Sequence, residues 1–206
     1  MAADWREFGD DTLNAPLRAA LECFAAHGYH GTSIRMVADV AGLSVPGLYH
    51  HHRSKQELLN KVVGAAMDEL LAHTRAAAED SDGTPAGRFD NIVTALILFH
   101  LSRRQHAFVA STEMRSMDPE VRAVHVASRD EEQEMISSAI AEGNESGEFD
   151  CPSPVDAARA VSSLCVSIAN WYRPGGALDP DDIVAQYLGF CRSIAGRLVD
   201  APAPRG

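Results

Sequence analysis

Residues 31–59 read GTSIRMVADVAGLSVPGLYHHHRSKQELL, and this stretch predicts two short helices separated by a glycine turn. The first helix carries one apolar stripe at the i, i+3, i+4 and i+7 positions: Ile34, Val37, Ala38 and Ala41. Thr32 or Ser33 offers the side-chain oxygen that caps its first turn. Glycine tolerates the left-handed backbone found just past a helix end, so we expect this helix to stop at Gly42.

The second helix is predicted to begin almost at once. Ser44 is a preferred N-cap residue, and Pro46 suits the first turn of a helix. Val45 and Leu48 are spaced so that they can face back toward the first helix. Two helices joined by so short a turn have the outline of a helix-turn-helix, in which the N-terminal end of the second helix enters the major groove of DNA.

A third helix is expected to follow from Ser54. Glu57 lies three positions after this serine and completes a capping box. Lys55 falls in the first turn of that helix, where the helix dipole disfavours a cation. An external phosphate is therefore a natural partner for the lysine and for the exposed backbone N–H groups.

Residues 14–62 resemble the DNA-binding domain of the TetR family of one-component transcription regulators. The resemblance rests on five short motifs in the order and at the spacing of that family: Gly28-Tyr29, Gly31-Thr32-Ser33, Ala41-Gly42-Leu43-Ser44, Leu48-Tyr49-His50-His51 and Ser54-Lys55. It implies a three-helix head that binds double-stranded operator DNA. An ordinary helical hairpin is the alternative reading of the same stretch.

The resemblance also implies which residues contact DNA. Thr32 and Ser33 would contact phosphates, and Arg35 would reach either a phosphate or a base edge. The end of the second helix that approaches the bases would consist of Ser44, Val45, Pro46 and Gly47. A clamp on the DNA backbone would consist of Tyr49, His50 and Lys55. For Tyr49 the alternative is a packed aromatic side chain, since tyrosine commonly serves both purposes.

Two features depart from the family pattern. His52 stands where the family usually has phenylalanine, so an apolar anchor is replaced by an imidazole that must find a hydrogen-bond partner or reach solvent. The N-terminal arm, often basic in the family, is here acidic: Asp4, Glu7, Asp10 and Asp11. We therefore do not expect this arm to enter a DNA groove.

Charge is distributed unevenly along the chain. The net charge of the 206 residues is −11, yet between His30 and Lys61 four cations face two acids. A net-positive patch thus coincides with the helix-turn-helix. Because few lysines and arginines are available to phosphates, polar side chains and helix N-termini must supply many of the backbone contacts.

Composition narrows the class of protein. A hydrophobic content of 46% is enough for a sizeable core, and no stretch approaches the ~20 apolar residues of a membrane-spanning helix. An acidic N-terminus does not look like a signal peptide. The four cysteines are scattered with no C-x-x-C pair, which argues against a disulfide framework or zinc site: Cys23, Cys151, Cys165 and Cys191. We expect a cytoplasmic protein.

The remainder of the chain keeps a helical period, so we predict an all-α fold. The three-helix head would occupy 12–57, a larger helical effector-binding and dimerisation domain would occupy 58–200, and 1–11 and 201–206 would be flexible tails. In the family the last two long helices form a four-helix interface with a symmetry mate. Here these helices would be Val155 to Tyr172 and Pro180 to Leu198, and the alternative is that they pack only within the monomer.

The larger domain is where a small-molecule effector would bind. Candidate lining residues are polar or aromatic groups placed along apolar stripes: Phe99, His100, Glu113, Met114, Trp171 and Arg173, with His106, Arg115 and His125 as further candidates. A structural role is the alternative for each. We read Arg115, Arg122 and Arg129 as a solvated face balanced by acids such as Glu132. Residues 111–131 resemble actinobacterial repressors of lipid and steroid catabolism, which implies a lipophilic acid, free or linked to coenzyme A.

Enzymatic function is not indicated. The sequence has no G-x-S-x-G, no Walker-type glycine loop and no G-x-G-x-x-G. Consecutive histidines at 50–52 point about 100° apart on a helix and do not converge on one ion, so we expect no metal site. We expect no cofactor. The sequence thus favours a homodimeric, ligand-released repressor; the alternatives are an activator or DNA-architectural regulator on the same fold, or a helical ligand-binding module without operator binding.

Overall fold

The structure is a computed structural model that describes residues 4–197. Within this range the chain is all-α, as predicted. In order, the helices are α1 (Ala15–Gly31), α2 (Ile34–Val40), α3 (Val45–His51), α4 (Lys55–Glu79), α5 (Pro85–Ser102), α6 (Arg104–Thr112), a 3-10 helix (Glu113–Ser116), α7 (Pro119–Ser146), α8 (Pro154–Trp171) and α9 (Pro180–Ile194).

Serine side chains cap the N-termini of α2, α3 and α4. Ser33 Oγ accepts from Met36 N (3.2 Å), Ser44 Oγ accepts from Gly47 N (3.1 Å), and Ser54 Oγ accepts from Glu57 N (3.0 Å). Gly42, in the turn between α2 and α3, has φ of 68°, the left-handed conformation expected of it. Ser33 rather than Thr32 caps α2, and the predicted turn is otherwise confirmed.

One apolar core runs through the molecule. In the head it includes Phe24, Val37, Leu48 and Leu58, each at most 1% exposed. The same cluster continues through the larger domain to residues such as Ile136, which is fully buried. The connection is α4, a 25-residue helix that begins in the head and ends beyond it. The expected division between 57 and 58 therefore falls inside the first turn of a continuous helix.

The larger domain is arranged around α5. This helix packs against α4, α7, α8 and α9, and its buried residues include Phe89, Ile92 and Leu96. Helix α6 packs against α1, α4 and α8 and leads into the 3-10 helix, which touches α1. None of the helices within residues 4–197 is both long enough and apolar enough to cross a bilayer.

Helix boundaries depart from expectation in three places. The polar, Gly- and Pro-bearing composition of residues 79–87 predicts a loop, but the loop is shorter, because Thr84 caps α5 through Gly87 N (2.9 Å) and Pro85 begins that helix. The α6 and 3-10 segment was not foreseen as separate elements. Helix α9 ends at Ile194 instead of Leu198, since Gly196 adopts a left-handed φ of 67°. Leu198 and the expected tail 201–206 lie outside the described residues.

The N-terminal arm is packed where a flexible tail was expected over residues 1–11. Trp5 is 5% exposed, and its indole Nε1 donates to Asp80 Oδ2 (2.9 Å). The ring of Phe8 stacks on His73 with centroids 4.1 Å apart. Arg103 donates to the Gly9 carbonyl (2.8 Å). Two aromatic side chains thus hold residues 4–11 against α4 and α5 of the larger domain.

Candidate DNA-binding surface and effector cavity

The helix-turn-helix presents most of its expected contact residues to solvent. Exposed are Ser33, Arg35, Ser44, Pro46, Tyr49 and His50; half-buried are Val45, Gly47 and Lys55; and Thr32 is buried. Tyr49 is 47% exposed, so the packed-aromatic alternative does not apply to it. The oxygens of Ser33 and Ser44 accept backbone N–H groups as caps, which leaves their hydroxyl hydrogens available to phosphate oxygens.

Thr32 does not fit its expected role as a phosphate contact. Its side chain is 2% exposed, and its hydroxyl is placed to donate inward to the carbonyls of Gly28 (2.8 Å) and Cys23 (3.0 Å). Gly28 has a left-handed φ of 68°, and the helical hydrogen-bond ladder of α1 is interrupted there. The Thr32 hydroxyl is therefore used within the head, at the C-terminal end of α1.

Lys55 is likewise engaged within the protein. Its ammonium donates to the carbonyls of Tyr29 and Thr32, both at 2.7 Å, and lies 4.2 Å from the centroid of the Tyr29 ring. We expected the lysine to seek an external phosphate because a cation is disfavoured at a helix N-terminus. The C-terminal end of α1 supplies the negative partner instead. Lys55 therefore fastens α4 to α1, and phosphate contact is not needed to explain it.

His52, the departure from the family pattern, is buried between α3 and α4. It is 4% exposed, and neither ring nitrogen makes a hydrogen bond among the described residues. Glu57 Oε1 lies 3.6 Å from Nδ1, outside hydrogen-bond range. Burial, aided by the charge of Lys61, lowers the pKa of His52. The imidazole is thus held neutral without the partner we expected it to require.

A cavity of about 220 Å³ lies in the larger domain. Five helices form its walls, α4 to α8. Its apolar lining consists of Met67, Leu70, Ala107, Ala110 and Val166, and its polar lining consists of His100, Ser111, His125, Arg129 and Glu132. This combination of apolar walls with a few polar groups is typical of a small-molecule site.

Of the six residues predicted to bind the effector, His100 lines this cavity. Phe99 directly precedes His100 in the chain and is buried, with 2% of its surface exposed. Glu113 lies on the 3-10 helix, and Met114 lines a separate groove with Arg115 and Arg122. Trp171 donates from Nε1 to Tyr187 Oη (3.0 Å) at the end of α8, and Arg173 follows it in the exposed loop. Trp171 and Arg173 do not line this cavity, because helical periodicity does not say where the open space lies.

The polar wall on α7 was largely missed. Glu132, expected on a solvated face, is 4% exposed, and its Oε1 accepts from Ser162 Oγ (2.8 Å). Burial raises the pKa of Glu132 to about 7. His125, Arg129 and Glu132 are spaced i, i+4 and i+7, and the buried stripe continues through Ile136 and Ile140. That periodicity was the signal that these polar residues share the inward face of α7.

His100 is the polar group of the cavity on α5. It is 4% exposed, and its Nδ1 lies 2.7 Å from the Leu96 carbonyl oxygen. Burial lowers the pKa of His100 to about 4. The ring is therefore uncharged near neutral pH.

A chain of hydrogen bonds joins the head to the segment that follows the cavity wall. Tyr29 Oη donates to Gln56 Oε1 (2.7 Å), and Gln56 Nε2 donates to the Ser116 carbonyl (2.9 Å). Asn60 adds a bond to Asp118 (3.1 Å). Ser116 closes the 3-10 helix, which begins directly after α6 and its cavity residues Ala107, Ala110 and Ser111. Head and cavity are therefore linked through few intervening residues.

The sequence matches two protein-family profiles. Residues 17–62 match the family described as bacterial regulatory proteins, tetR family. Residues 82–195 match the tetracyclin repressor-like C-terminal domain. The matches cover the helix-turn-helix and most of the helices around the cavity.

Known proteins agree with these matches. The HTH-type transcriptional repressor KstR2 of Mycobacterium tuberculosis is 30% identical over 176 residues, 84% of this chain and 86% of the relative. A tetR-family regulatory protein from Rhodococcus RHA1 superposes with a TM-score of 0.83 at 28% identity, covering 90% of this chain and 97% of that chain. AibR, solved with isovaleryl coenzyme A and operator DNA, shares the fold with a TM-score of 0.75 at 23% identity, over 85% and 97% of the two chains. The resemblance drawn from the motifs is confirmed.

Proposed function

The chain belongs to the TetR family of DNA-binding transcriptional regulators, and on that premise we propose that it is a homodimeric repressor released from an inverted-repeat operator by a small lipophilic effector. One observation carries the proposal: α4 begins in the helix-turn-helix head at Lys55 and also forms part of the cavity wall through Met67 and Leu70. A rigid helix shared by both sites gives a ligand a direct way to move the head. We further propose that the protein acts in the cytoplasm and without catalysis.

For the DNA contacts we propose a surface centred on the N-terminal end of α3. Its base-facing part consists of Ser44, Val45, Pro46 and Gly47, and its phosphate-facing part consists of Ser33, Arg35, Tyr49 and His50. Thr32 and Lys55 support this surface from behind by holding the end of α1. Since a single head offers a small contact area, two heads one helical turn apart would read a palindrome together.

Exposed apolar side chains on the last two helices support the dimer. Trp171 is 37% exposed, Phe190 is 48% exposed and Ile194 is 39% exposed. Phe190 packs edge-on against Tyr187, which stacks with Trp171, so these rings form one contiguous aromatic patch. Large apolar groups gathered on one face are typical of a protein interface. We propose that α8 and α9 pair with the same helices of a second copy.

For the effector we propose a lipophilic acid, free or linked to coenzyme A. Arg129 supplies a cation beside the apolar lining, and the complex of AibR with isovaleryl coenzyme A illustrates such a ligand on the same fold. A cavity of about 220 Å³ admits only the lipophilic part, so a coenzyme A group would lie outside it. Displacement of α6 and the 3-10 helix would reach the head through Gln56. By linkage, operator DNA must weaken effector binding by the same factor.

The proposal is tested by selecting operators from random duplex DNA and measuring their affinity by fluorescence anisotropy. Tyr49→Ala should weaken binding to every selected duplex by about fivefold or more, whereas Val45→Ala should change which duplexes are preferred. Arg173→Ala, at an exposed position in the loop after α8 and outside the helix-turn-helix, is the matched control and should bind like the parent protein. If no inverted repeat is enriched, or if both head variants bind unchanged, the proposed function is refuted.

A further inference from the structure

The hydrogen bond of His100 fixes which of its ring nitrogens carries the proton. Its Nδ1 lies 2.7 Å from the carbonyl oxygen of Leu96, one turn earlier on α5. A carbonyl oxygen only accepts, so Nδ1 must be the donor. Because the ring is neutral, it carries a single N–H proton, and that proton is on Nδ1. The Nε2 atom is left with a bare lone pair and acts only as an acceptor.

No described side chain or backbone group donates to Nε2. His100 makes one hydrogen bond within residues 4–197, the bond to Leu96. Its ring lines the cavity together with apolar groups such as Met67, Leu70 and Ala110, and with the polar groups His125, Arg129 and Glu132. Ser111 lines the same cavity, but its hydroxyl donates to the Phe108 carbonyl (2.9 Å). A molecule that fills the cavity thus meets an acceptor that the protein itself leaves unsatisfied.

The size of the cavity limits what can fill it. An apolar cavity of about 150 Å³ accommodates benzene. The 220 Å³ here suits a single substituted ring or a short branched chain, with its body against the apolar walls. A ligand of this size that covers Nε2 without donating a hydrogen bond would strand a buried acceptor, which is strongly unfavourable.

We propose that the effector, or the part of it that enters this cavity, is a compact apolar group bearing a hydroxyl that donates to His100 Nε2. The inference rests on the proposed function in that it takes the cavity as the effector site. It adds the chemical class of the buried part: an alcohol or phenol rather than an ether, a ketone or a plain hydrocarbon. Among the polar groups of the cavity, His100 is the one whose acceptor nitrogen is fixed by a bond to a backbone carbonyl.

Phenol, anisole and toluene test the proposal because they share one ring. Phenol donates a hydrogen bond, anisole keeps the oxygen without the donor, and toluene has neither. We expect isothermal titration with the DNA-free protein to show phenol binding at least about fivefold more tightly than anisole. Anisole is the more lipophilic of the two, so an apolar cavity without the acceptor would show the opposite order.

His100→Leu should abolish the preference for phenol while retaining toluene binding. Ser111→Ala, which alters a satisfied polar group of the same cavity, should keep the preference. A measurement on the unmutated protein guards against misfolding: in a ¹⁵N-histidine spectrum, phenol should shift the His100 Nε2 resonance upfield and toluene should not. Anisole binding as tightly as phenol, retention of the preference in His100→Leu, or binding of none of the three would overturn the inference.

A separate experiment tests the proposed function. Operator selection is carried out without any probe, so enriched inverted repeats together with absent phenol preference would refute only the hydroxyl inference. Preference for phenol together with no enriched DNA would support the cavity assignment and refute the repressor. Circular dichroism of both variants checks that each retains its helical content.

Discussion

The head and the effector cavity arise from the sequence in opposite ways. In the head, Ser33, Ser44 and Ser54 each accept a hydrogen bond from a backbone N–H three residues ahead. These interactions are local, so they can be read from spacing alone. The cavity instead takes its lining from five helices, between Met67 and Val166. Its shape depends on which faces of long helices meet, and this information is spread over most of the chain.

The largest effect on stability is expected from a substitution that tests whether the head and the larger domain unfold separately. Leu48 is fully buried in the head, and Ile136 is fully buried on α7, yet both belong to one apolar cluster. Leu48→Ala should lower the free energy of unfolding by about 2–5 kcal/mol. Because α4 joins the regions, we expect the whole protein to unfold in one transition at lower urea concentration.

Two probes distinguish joint from separate unfolding. Trp5 and Trp171 lie outside the head, so tryptophan fluorescence reports the larger domain, whereas circular dichroism reports all helices. Coincident transitions in the Leu48→Ala protein would indicate one cooperative unit. A fluorescence midpoint equal to that of the parent protein would show that the head melts alone. Ile136→Ala is the matched control, since it removes a comparable side chain from the other region.

The second-largest effect on stability is expected from a buried carboxyl group that lines the cavity. The carboxyl of Glu132 has its pKa raised from 4.5 to about 7 by burial, so the folded protein holds a proton that the unfolded chain releases. Stability must then fall as pH rises from about 4.5 to 7 and remain low above that range. At 1.36 kcal/mol for each pH unit, the separation between 4.5 and about 7 corresponds to about 3 kcal/mol.

Glu132→Gln should remove this dependence. The amide oxygen can still accept from Ser162, and the variant has no proton to release. We expect it to be about as stable as the parent protein at pH 4.5 and about 3 kcal/mol more stable at pH 8, as measured by urea unfolding at both values. Glu131→Gln, an exposed neighbour, controls for the change in net charge. Equal stability differences at the two pH values would show that the carboxyl is not desolvated.

Sequence reasoning succeeded where the determining interactions are short-ranged. The caps and the turn at Gly42 follow from residues within a few positions of one another. It did not reveal the intramolecular partners of Lys55, two carbonyls that lie 23 and 26 residues away across the head. Helical periodicity identifies the apolar face of a helix but does not show what packs against that face. For this reason Trp171 was assigned to the cavity and Glu132 to the surface. The packed arm at Trp5 depends on Asp80, a contact over 75 residues that no local pattern contains.

Lys55→Met tests whether Lys55 serves to hold α4 against the end of α1 or to bind a DNA phosphate. Methionine keeps much of the apolar stem but loses both hydrogen bonds to the carbonyls of Tyr29 and Thr32. We expect a loss of about 2 kcal/mol in stability, typical of hydrogen bonds from a charged group. Operator affinity should fall for every sequence because the head is loosened.

Salt dependence separates the two roles. A lysine that neutralises a phosphate contributes about one to the slope of log affinity against log salt, and its removal lowers that slope. For Lys55→Met we expect an unchanged slope, in contrast to Arg35→Met, which should lower it. A reduced slope for Lys55→Met, with stability intact, would restore the phosphate contact first inferred from the sequence.

The smallest expected effect concerns His52, where a local departure from the family pattern has a packing consequence. Its two ring nitrogens are buried without hydrogen-bond partners among the described residues, and an unsatisfied buried polar group is destabilising. His52→Phe should therefore stabilise the protein by about 1 kcal/mol at neutral pH. The gain should grow below pH 6.5, because burial lowers the pKa of His52 and the unfolded chain takes up the proton first.

His51→Phe is the matched control, since that neighbour is exposed and its replacement should leave stability unchanged. Thermal unfolding between pH 5 and 8 makes the comparison. A His52→Phe protein less stable than its parent at every pH would mean that the imidazole fits its site better than a phenyl ring does. In that case the head, like the cavity, would depend on packing that its local sequence does not predict.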